Sequence, residues 1–168
     1  MIIRDAEPGD ARQIAEVHVA SWQSAYAGLI PDSELERLSV NEREYVWNRR
    51  LTGNRSMFPV FVDQGRVVGW AVVGPSRDPD CDQAQVYELY GIYFLESYWG
   101  GGYGKRLYRA AEQRIVAAAK EIKVWVLEGN ARARRFYESI GFTIETNQRK
   151  EIPFGSKLLA EVRYRKVL

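Results

Sequence analysis

The chain has 168 residues, 46% hydrophobic and 27% charged, with a formal net charge of +2; this is one domain's length with apolar mass for a core, and it excludes wholesale disorder and a globally basic nucleic-acid or membrane binder. A lone cysteine, Cys81, and a lone histidine, His18, exclude an internal disulfide and any multi-cysteine or multi-histidine metal centre, so no metal is expected. The start Met1-Ile2-Ile3-Arg4-Asp5 is charged too early for a secretory signal and no apolar run nears the ~20 residues of a membrane span, so a cytoplasmic protein is expected.

Residues 2–6 read as a first short strand. Pro8-Gly9-Asp10 turns the chain, and Asp10 is placed to cap a helix running to about Ala25, with Ile14, Val17, His18, Ser21, Trp22 and Ala25 on one face. His18, four residues from both Ile14 and Trp22, reads as a packed structural histidine. Gly28-Leu29-Ile30-Pro31 breaks that helix, and Leu35, Leu38, Tyr45, Val46 and Leu51 supply apolar positions for one or two more, ended by Gly53-Asn54. The period then shortens. Residues 57–62 and 67–73 form a hairpin about Gln64-Gly65, and a polar loop from Gly74 to Asp82 leads to a long strand over 84–95. A helix follows over 103–120, a buried strand over 122–127, a helix over 131–140 ended by Gly141, and two last strands over 142–150 and 158–167. Hairpins mixed with strand–helix crossovers imply an α/β (α+β) protein with a mixed sheet and helices on both faces.

The densest motif is Trp99-Gly100-Gly101-Gly102-Tyr103-Gly104-Lys105, between a strand and a helix. Glycines there let backbone amides approach a ligand, and the first amides of the helix point outward at the positive end of its dipole, which suits a phosphate or pyrophosphate. Spacing excludes the P-loop, which needs glycine at Trp99 and Ser or Thr at Arg106, and the dinucleotide fingerprint, which needs glycine at Lys105.

Glu88-Leu89-Tyr90-Gly91-Ile92-Tyr93-Phe94 followed by Tyr98 to Gly104 resembles the central motif of the GCN5-related N-acetyltransferase (GNAT) superfamily, Gln/Arg-x-x-Gly-x-Gly/Ala. The segment from Asn130 through Phe136-Tyr137 to Gly141-Phe142 resembles its second hallmark, and the likeness covers nearly the whole chain, as one N-acetyltransferase domain over 1–168. It implies a central sheet of about seven strands splayed between the fourth and fifth, with the pantetheine arm of acetyl-CoA inserted in the split. It further implies that acetyl-CoA is the acetyl donor, held by Ile92, Tyr93, Phe94, Gly100, Gly101, Gly102, Tyr103, Gly104, Lys105, Asn130 and Tyr137. Trp99 departs from the motif's Gln or Arg, which leaves the cofactor's grip to backbone amides.

Moving an acetyl group from a thioester to an amine by direct attack in a ternary complex requires a base for the ammonium, whose ordinary pKa is roughly 10, a stabilised oxyanion, and an acid for the thiolate. By resemblance Glu88 is the expected base, with Glu128 or a water chain as alternatives, and Tyr137 the expected acid. Asn130 caps its helix and, by resemblance, bonds the pantetheine arm. Trp22, Tyr26, Glu88 and Tyr90, with Tyr93 and Phe154, are candidates for the acceptor pocket. The stretch from Trp22 to Pro31 resembles a bacterial subgroup acting on small amines, so a small primary amine is expected, with a protein N-terminus or lysine as alternative. A non-catalytic acyl-CoA-binding module stays open, as does a homodimer; no nucleic-acid or membrane partner is expected, Arg132, Arg134 and Arg135 being read as a solvated helix face or a site near the cofactor's 3′-phosphate.

Overall fold

The computed structural model describes residues 1–53, 56–155 and 157–168. The elements are β1 (Ile2–Asp5), α1 (Ala11–Ala25), α2 (Asp32–Glu36), α3 (Val40–Leu51), β2 (Pro59–Asp63), β3 (Arg66–Pro75), β4 (Val86–Phe94), α4 (Tyr103–Ile115), β5 (Glu121–Leu127), α5 (Ala131–Ser139), β6 (Thr143–Phe154) and β7 (Lys157–Val167). The strands make one seven-stranded sheet in the order β1-β2-β3-β4-β5-β7-β6. The expected Gly53-Asn54 helix stop lies partly outside the described residues, since Asn54 is not among them. Among the described residues no helix is long and apolar enough to cross a membrane.

Strand alternation sorts the core onto two faces. Val60, Val62, Val67, Trp70 and Val72 pack under Ile14, Ala15 and Val17 of α1 and Trp47 of α3. Phe61, Val68, Ala71, Val73, Leu89, Val124 and Val126 face the other way, under Leu107, Tyr108, Ala111 and Ile115 of α4 and Tyr137 of α5. The β2–β3 turn places Gln64 at φ 47° and Gly65 at φ 75°, the left-handed pair that matches hairpin twist.

Three local expectations are corrected. Asp10 precedes α1 but its side chain caps nothing there. It is buried, and its carboxylate instead accepts from Arg4 at 2.6 and 2.8 Å and from the Glu7 amide at 2.8 Å. The helix read over 103–120 stops at Ile115. Residues 116–119 turn the chain so that the Lys120 amide can donate to the Gln85 carbonyl at 2.8 Å, where β5 joins β4. The strand read over 142–150 extends to Phe154. Pro153 is tolerated because β6 is the sheet's outer strand, where a missing N–H breaks no ladder.

The loop before β4 is fixed by a buried cation. Arg163 on β7 is 2% exposed and donates to Asp78 at 2.9 Å, to Asp80 at 2.9 and 2.8 Å and to Glu145 at 2.6 Å. Asp78 also accepts from the Trp125 indole at 3.0 Å. These contacts tie the β3–β4 loop to β5 and β7 at Trp125↔Arg163, two residues past the last β4–β5 pair. Replacing Arg163 by Ala strands several carboxylates beside one another, and a loss of about 3–5 kcal/mol is expected, read from urea unfolding; a loss within error would contradict this role.

His18 is 7% exposed and its Nδ1 accepts from the Trp47 indole at 3.2 Å. Burial first, then Arg43 and Arg50, lower its pKa to about 3. The unfolded chain takes up this proton near pH 6.5 and the folded chain does not, so stability is full above about 6.5 and declines as pH falls. As His18 is the sole histidine, the wild type is expected to lose roughly 1–2 kcal/mol between pH 7 and 5, and His18→Gln to flatten that dependence. Equal slopes for both proteins in urea titrations would contradict the assignment.

Candidate active site

β4 and β5 run parallel but pair at only three positions, Val86↔Glu121, Tyr87↔Ile122 and Glu88↔Lys123. Each then continues, β4 bonded on its other edge to β3 as far as Phe94↔Gly69, β5 bonded to β7 as far as Leu127↔Glu161. The two strands therefore part like the arms of a Y after Glu88 and Lys123, the split expected between the fourth and fifth strands. The gap opens into a cavity of about 520 Å³, walled by Ile92, Tyr93 and Phe94 on one arm and Val124 to Leu127 on the other. Buried backbone groups demand partners, so strand edges that part in this way suit a ligand that itself carries amides.

At the cavity's rim the glycine-rich loop turns into α4. Gly100 and Gly102 have φ of 79° and 76°, and a Cβ at either would meet nothing within 4 Å. The glycines are required by backbone conformation there, and open space lies beside them. Gly102 is the N-cap of α4 and offers no side chain, which leaves the helix's first amides free. A Cβ on Gly104 would come within 3.1 Å of Phe136, so this glycine lets α4 approach α5. Trp99, the departure from the family motif, donates its indole N–H to the Phe94 carbonyl at 3.0 Å, and the Arg132 guanidinium lies 3.1 Å from its ring centroid. Position 99 thus locks the loop to the end of β4 and holds a cation at the cavity wall. Asn130 Oδ1 accepts from the Ala133 amide at 3.0 Å, capping α5.

Deeper in, α1 meets the split. The hydroxyls of Tyr26 and Tyr93 are 2.7 Å apart. Tyr90 and Tyr93 both face the α1 side because β4 bulges between them: Val72 pairs with Gly91 and Val73 with Leu89, leaving Tyr90 extra. Tyr137 of α5 lines the same cavity and is 7% exposed. Burial first, then the charges of Tyr26 and Glu161, push its hydroxyl well above the ordinary tyrosine range. Glu161 of β7 lines the cavity as well. Burial raises its carboxyl above the usual carboxylate range, against the pull of Lys150, whose Nζ is 3.5 Å away, and of Arg77. Its charge is felt at Tyr26, Tyr93 and Tyr137 alike.

Of the residues singled out from the sequence, Trp22, Tyr26, Tyr90, Ile92, Tyr93, Phe94, Gly100, Gly102, Tyr103, Gly104, Lys105, Asn130, Tyr137 and Phe154 line this cavity. Gly101 does not; a Cβ there would meet the Tyr103 ring at 2.5 Å. Glu88 does not line it either. It belongs to the last pair at the closed end of the Y, is 1% exposed, and both its oxygens are taken by the Arg77 guanidinium, with the Arg77 amide adding a third bond at 3.1 Å. Glu128 is exposed and pairs with Arg149 at 3.3 Å. Glu161, which also lines the cavity, is marked in the sequence only as one acidic residue inside the apolar run Leu158-Leu159-Ala160-Glu161-Val162.

Residues 16–142 match the family described as the acetyltransferase (GNAT) family. The uncharacterized N-acetyltransferase YuaI of Bacillus subtilis is 36% identical over 132 residues, 76% of this chain and 72% of that protein. The PaiA N-acetyltransferase of Thermoplasma acidophilum, solved in complex with coenzyme A, superposes with a TM-score of 0.76 at 21% identity, covering 99% of this chain and 98% of that one. YncA of Salmonella typhimurium, solved with its cofactor acetyl-CoA, gives a TM-score of 0.73 at 21% identity over 100% and 94% of the two chains. With a sheet split after its fourth strand and a glycine loop opening onto that split, the chain belongs to the acetyltransferase (GNAT) family.

Proposed function

We propose that this protein transfers an acetyl group from acetyl-CoA to the primary amine of a small molecule, by direct attack while both are bound, with Glu161 as base and Tyr137 as acid. The observation that carries the reading is one cavity containing a carboxylate with raised affinity for protons and a tyrosine that stays protonated, beside a loop of free helix-end amides. Family membership and the acetyl-CoA bound in YncA support the donor.

Acetyl-CoA, when bound, supplies an activated acetyl group as a thioester. The amides of Gly100 to Lys105 and the Arg132 cation suit its phosphates. The open edge at Ile92 and the amide of Phe94, whose carbonyl Trp99 already engages, suit its amide-bearing arm, added like a strand, with Asn130 on the opposite arm of the Y. An incoming ammonium meets Glu161, whose raised pKa narrows the gap that proton removal must cross. Tyr26 and Tyr93, hydrogen-bonded to each other, carry hydroxyls that can hold the amine or pass its proton along. Tyr137 keeps its phenolic proton at neutral pH and can deliver it to the departing sulfur. Glu88 has no part in this scheme, because Arg77 already engages it.

Tyr137→Phe is expected to lower kcat about 100-fold with little change in KM for acetyl-CoA, and Glu161→Gln to lower kcat/KM for the amine by a similar factor. Glu161→Gln should also remove the acidic limb of the pH–rate profile, placed above the ordinary glutamate value because burial raises this carboxyl. Thiol release under steady-state conditions reads both. A wild-type profile in Glu161→Gln, with the loss appearing in Glu88→Gln instead, would contradict the assignment of the base.

A further inference from the structure

A second, smaller concavity of about 200 Å³ adjoins the first and shares the walls Trp22, Tyr90 and Tyr93 with it. It lies on the α1/α3 side of the sheet, and its remaining walls are His18, Arg43, Arg50, Trp70, Val72 and Arg77. α3 carries Arg43 and Arg50 seven residues apart, on one helix side, and Arg77 enters from the loop after β3. Guanidinium groups are thus drawn together from separate elements against their mutual repulsion. Burial first, then the nearness of Arg43 and Arg77, lowers the pKa of Arg50. Glu88 neutralises Arg77. Among the described residues Arg43 and Arg50 have no carboxylate partner, and their guanidinium carbons lie instead over indoles, 5.8 Å from the Trp22 centroid and 5.5 Å from that of Trp47. A guanidinium held by a ring and not by a carboxylate keeps N–H groups for a ligand.

The floor of this concavity repeats the pattern. His18 Nε2, Trp22 Nε1 and Trp70 Nε1 are buried and have no hydrogen-bond partner among the described residues. His18 is 7% and Trp70 4% exposed. An indole N–H can only donate, so the bond from Trp47 to His18 Nδ1 leaves the imidazole proton on Nε2. All three orphaned atoms are therefore N–H donors. Tyr90 and Tyr93 leave this unchanged, since the Tyr90 hydroxyl donates to the Pro75 carbonyl at 2.6 Å and the Tyr93 hydroxyl pairs with Tyr26. Unpartnered cations above and unpartnered buried donors below call for an acceptor-rich anion.

We propose that the acetyl acceptor is a primary amine that also carries an oxyacid anion, a carboxylate or a phosphonate. The anion seats between Arg43 and Arg50, over the floor where His18 Nε2 and Trp70 Nε1 lie buried without acceptors, and the amine extends past Tyr90 and Tyr93 toward the acetyl-transfer cavity. The inference rests on the acetyltransferase reading above and adds the class of acceptor to it. In this arrangement the arginines select and orient, and they take no part in proton transfer.

The test is steady-state acetylation by the full chain of matched amines: α-amino carboxylates and aminoalkylphosphonates, each beside its neutral ester, and simple diamines without an anion. A preference in kcat/KM of about ten- to hundred-fold for the anionic member of each pair is expected, the size of one or two charge-assisted hydrogen bonds. That preference should shrink at least about tenfold in Arg50→Gln and in Arg43→Gln, chiefly through KM of the amine. Two variants on different turns of α3 guard against one failing to fold. The carboxylate and phosphonate arms distinguish the two anions. Esters or diamines used as well as the acids, or a preference untouched in both variants, would overturn this inference and leave the acetyltransferase reading standing. No turnover of any amine would overturn that reading and this one with it.

Discussion

Everything in this molecule is arranged around two parallel strands that stop bonding to each other. After Glu88 and Lys123 the backbone edges of β4 and β5 face a gap, in the middle of a sheet where such edges are ordinarily satisfied. A split of that kind persists only if both arms are held from outside. β3 and β7 do so on the far edges, and the Arg163 cluster, just past the fork, joins the β3–β4 loop to β5 and β7. The aromatic cluster of Trp47, Trp70 and His18, with Trp47 and Trp70 ring centroids 4.7 Å apart, stiffens the β3–β4 side beneath α1 and α3.

The split separates two kinds of recognition. On the donor side the contacts available are main-chain groups: the loop amides, the open edge of β4 and the helix end behind Gly102. Such groups recognise phosphates and amides and tolerate changes in side chain, which is consistent with Trp99 standing where the family's motif has Gln or Arg. On the side proposed for the acceptor, the groups available are side chains from α1, α3, the β3–β4 loop and β7. The charges are segregated there: Glu161 sits in the larger cavity and Arg43 and Arg50 in the smaller, with a wall of aromatic rings between them. A molecule bearing an ammonium and an anion a few bonds apart is complementary to that segregation.

Local features were legible in the sequence. The glycine loop, the Asn130 cap, the Gln64-Gly65 turn and the element order each depend on a few adjacent residues, and each appears where the pattern put it. What the sequence hid depends on register. Glu88 was the expected base, but nothing local says that β4 and β5 still pair at that residue, or that Arg77 covers it. The bulge at Tyr90, which turns this residue to the α1 side, is likewise a relation between strands. Glu161 reaches the cavity only because β7 lies antiparallel beside β5 and sets it against Leu127. The arginine pocket left one trace, Arg43 and Arg50 on a common helix side around the buried Trp47, yet the indole and imidazole donors that complete it come from α1 and β3.

In the proposed function acetyl-CoA enters the gap between β4 and β5 and is gripped by backbone groups. Amide hydrogen exchange with and without saturating acetyl-CoA tests it directly. Protection should rise at Ile92 and Phe94 and at Gly100 to Lys105, while Tyr93, already paired with Trp70 of β3, Val86 to Glu88, paired across the closed end, and the β6–β7 hairpin change little. Binding that leaves the open edge of β4 and the glycine loop unprotected would contradict entry of the cofactor into this gap.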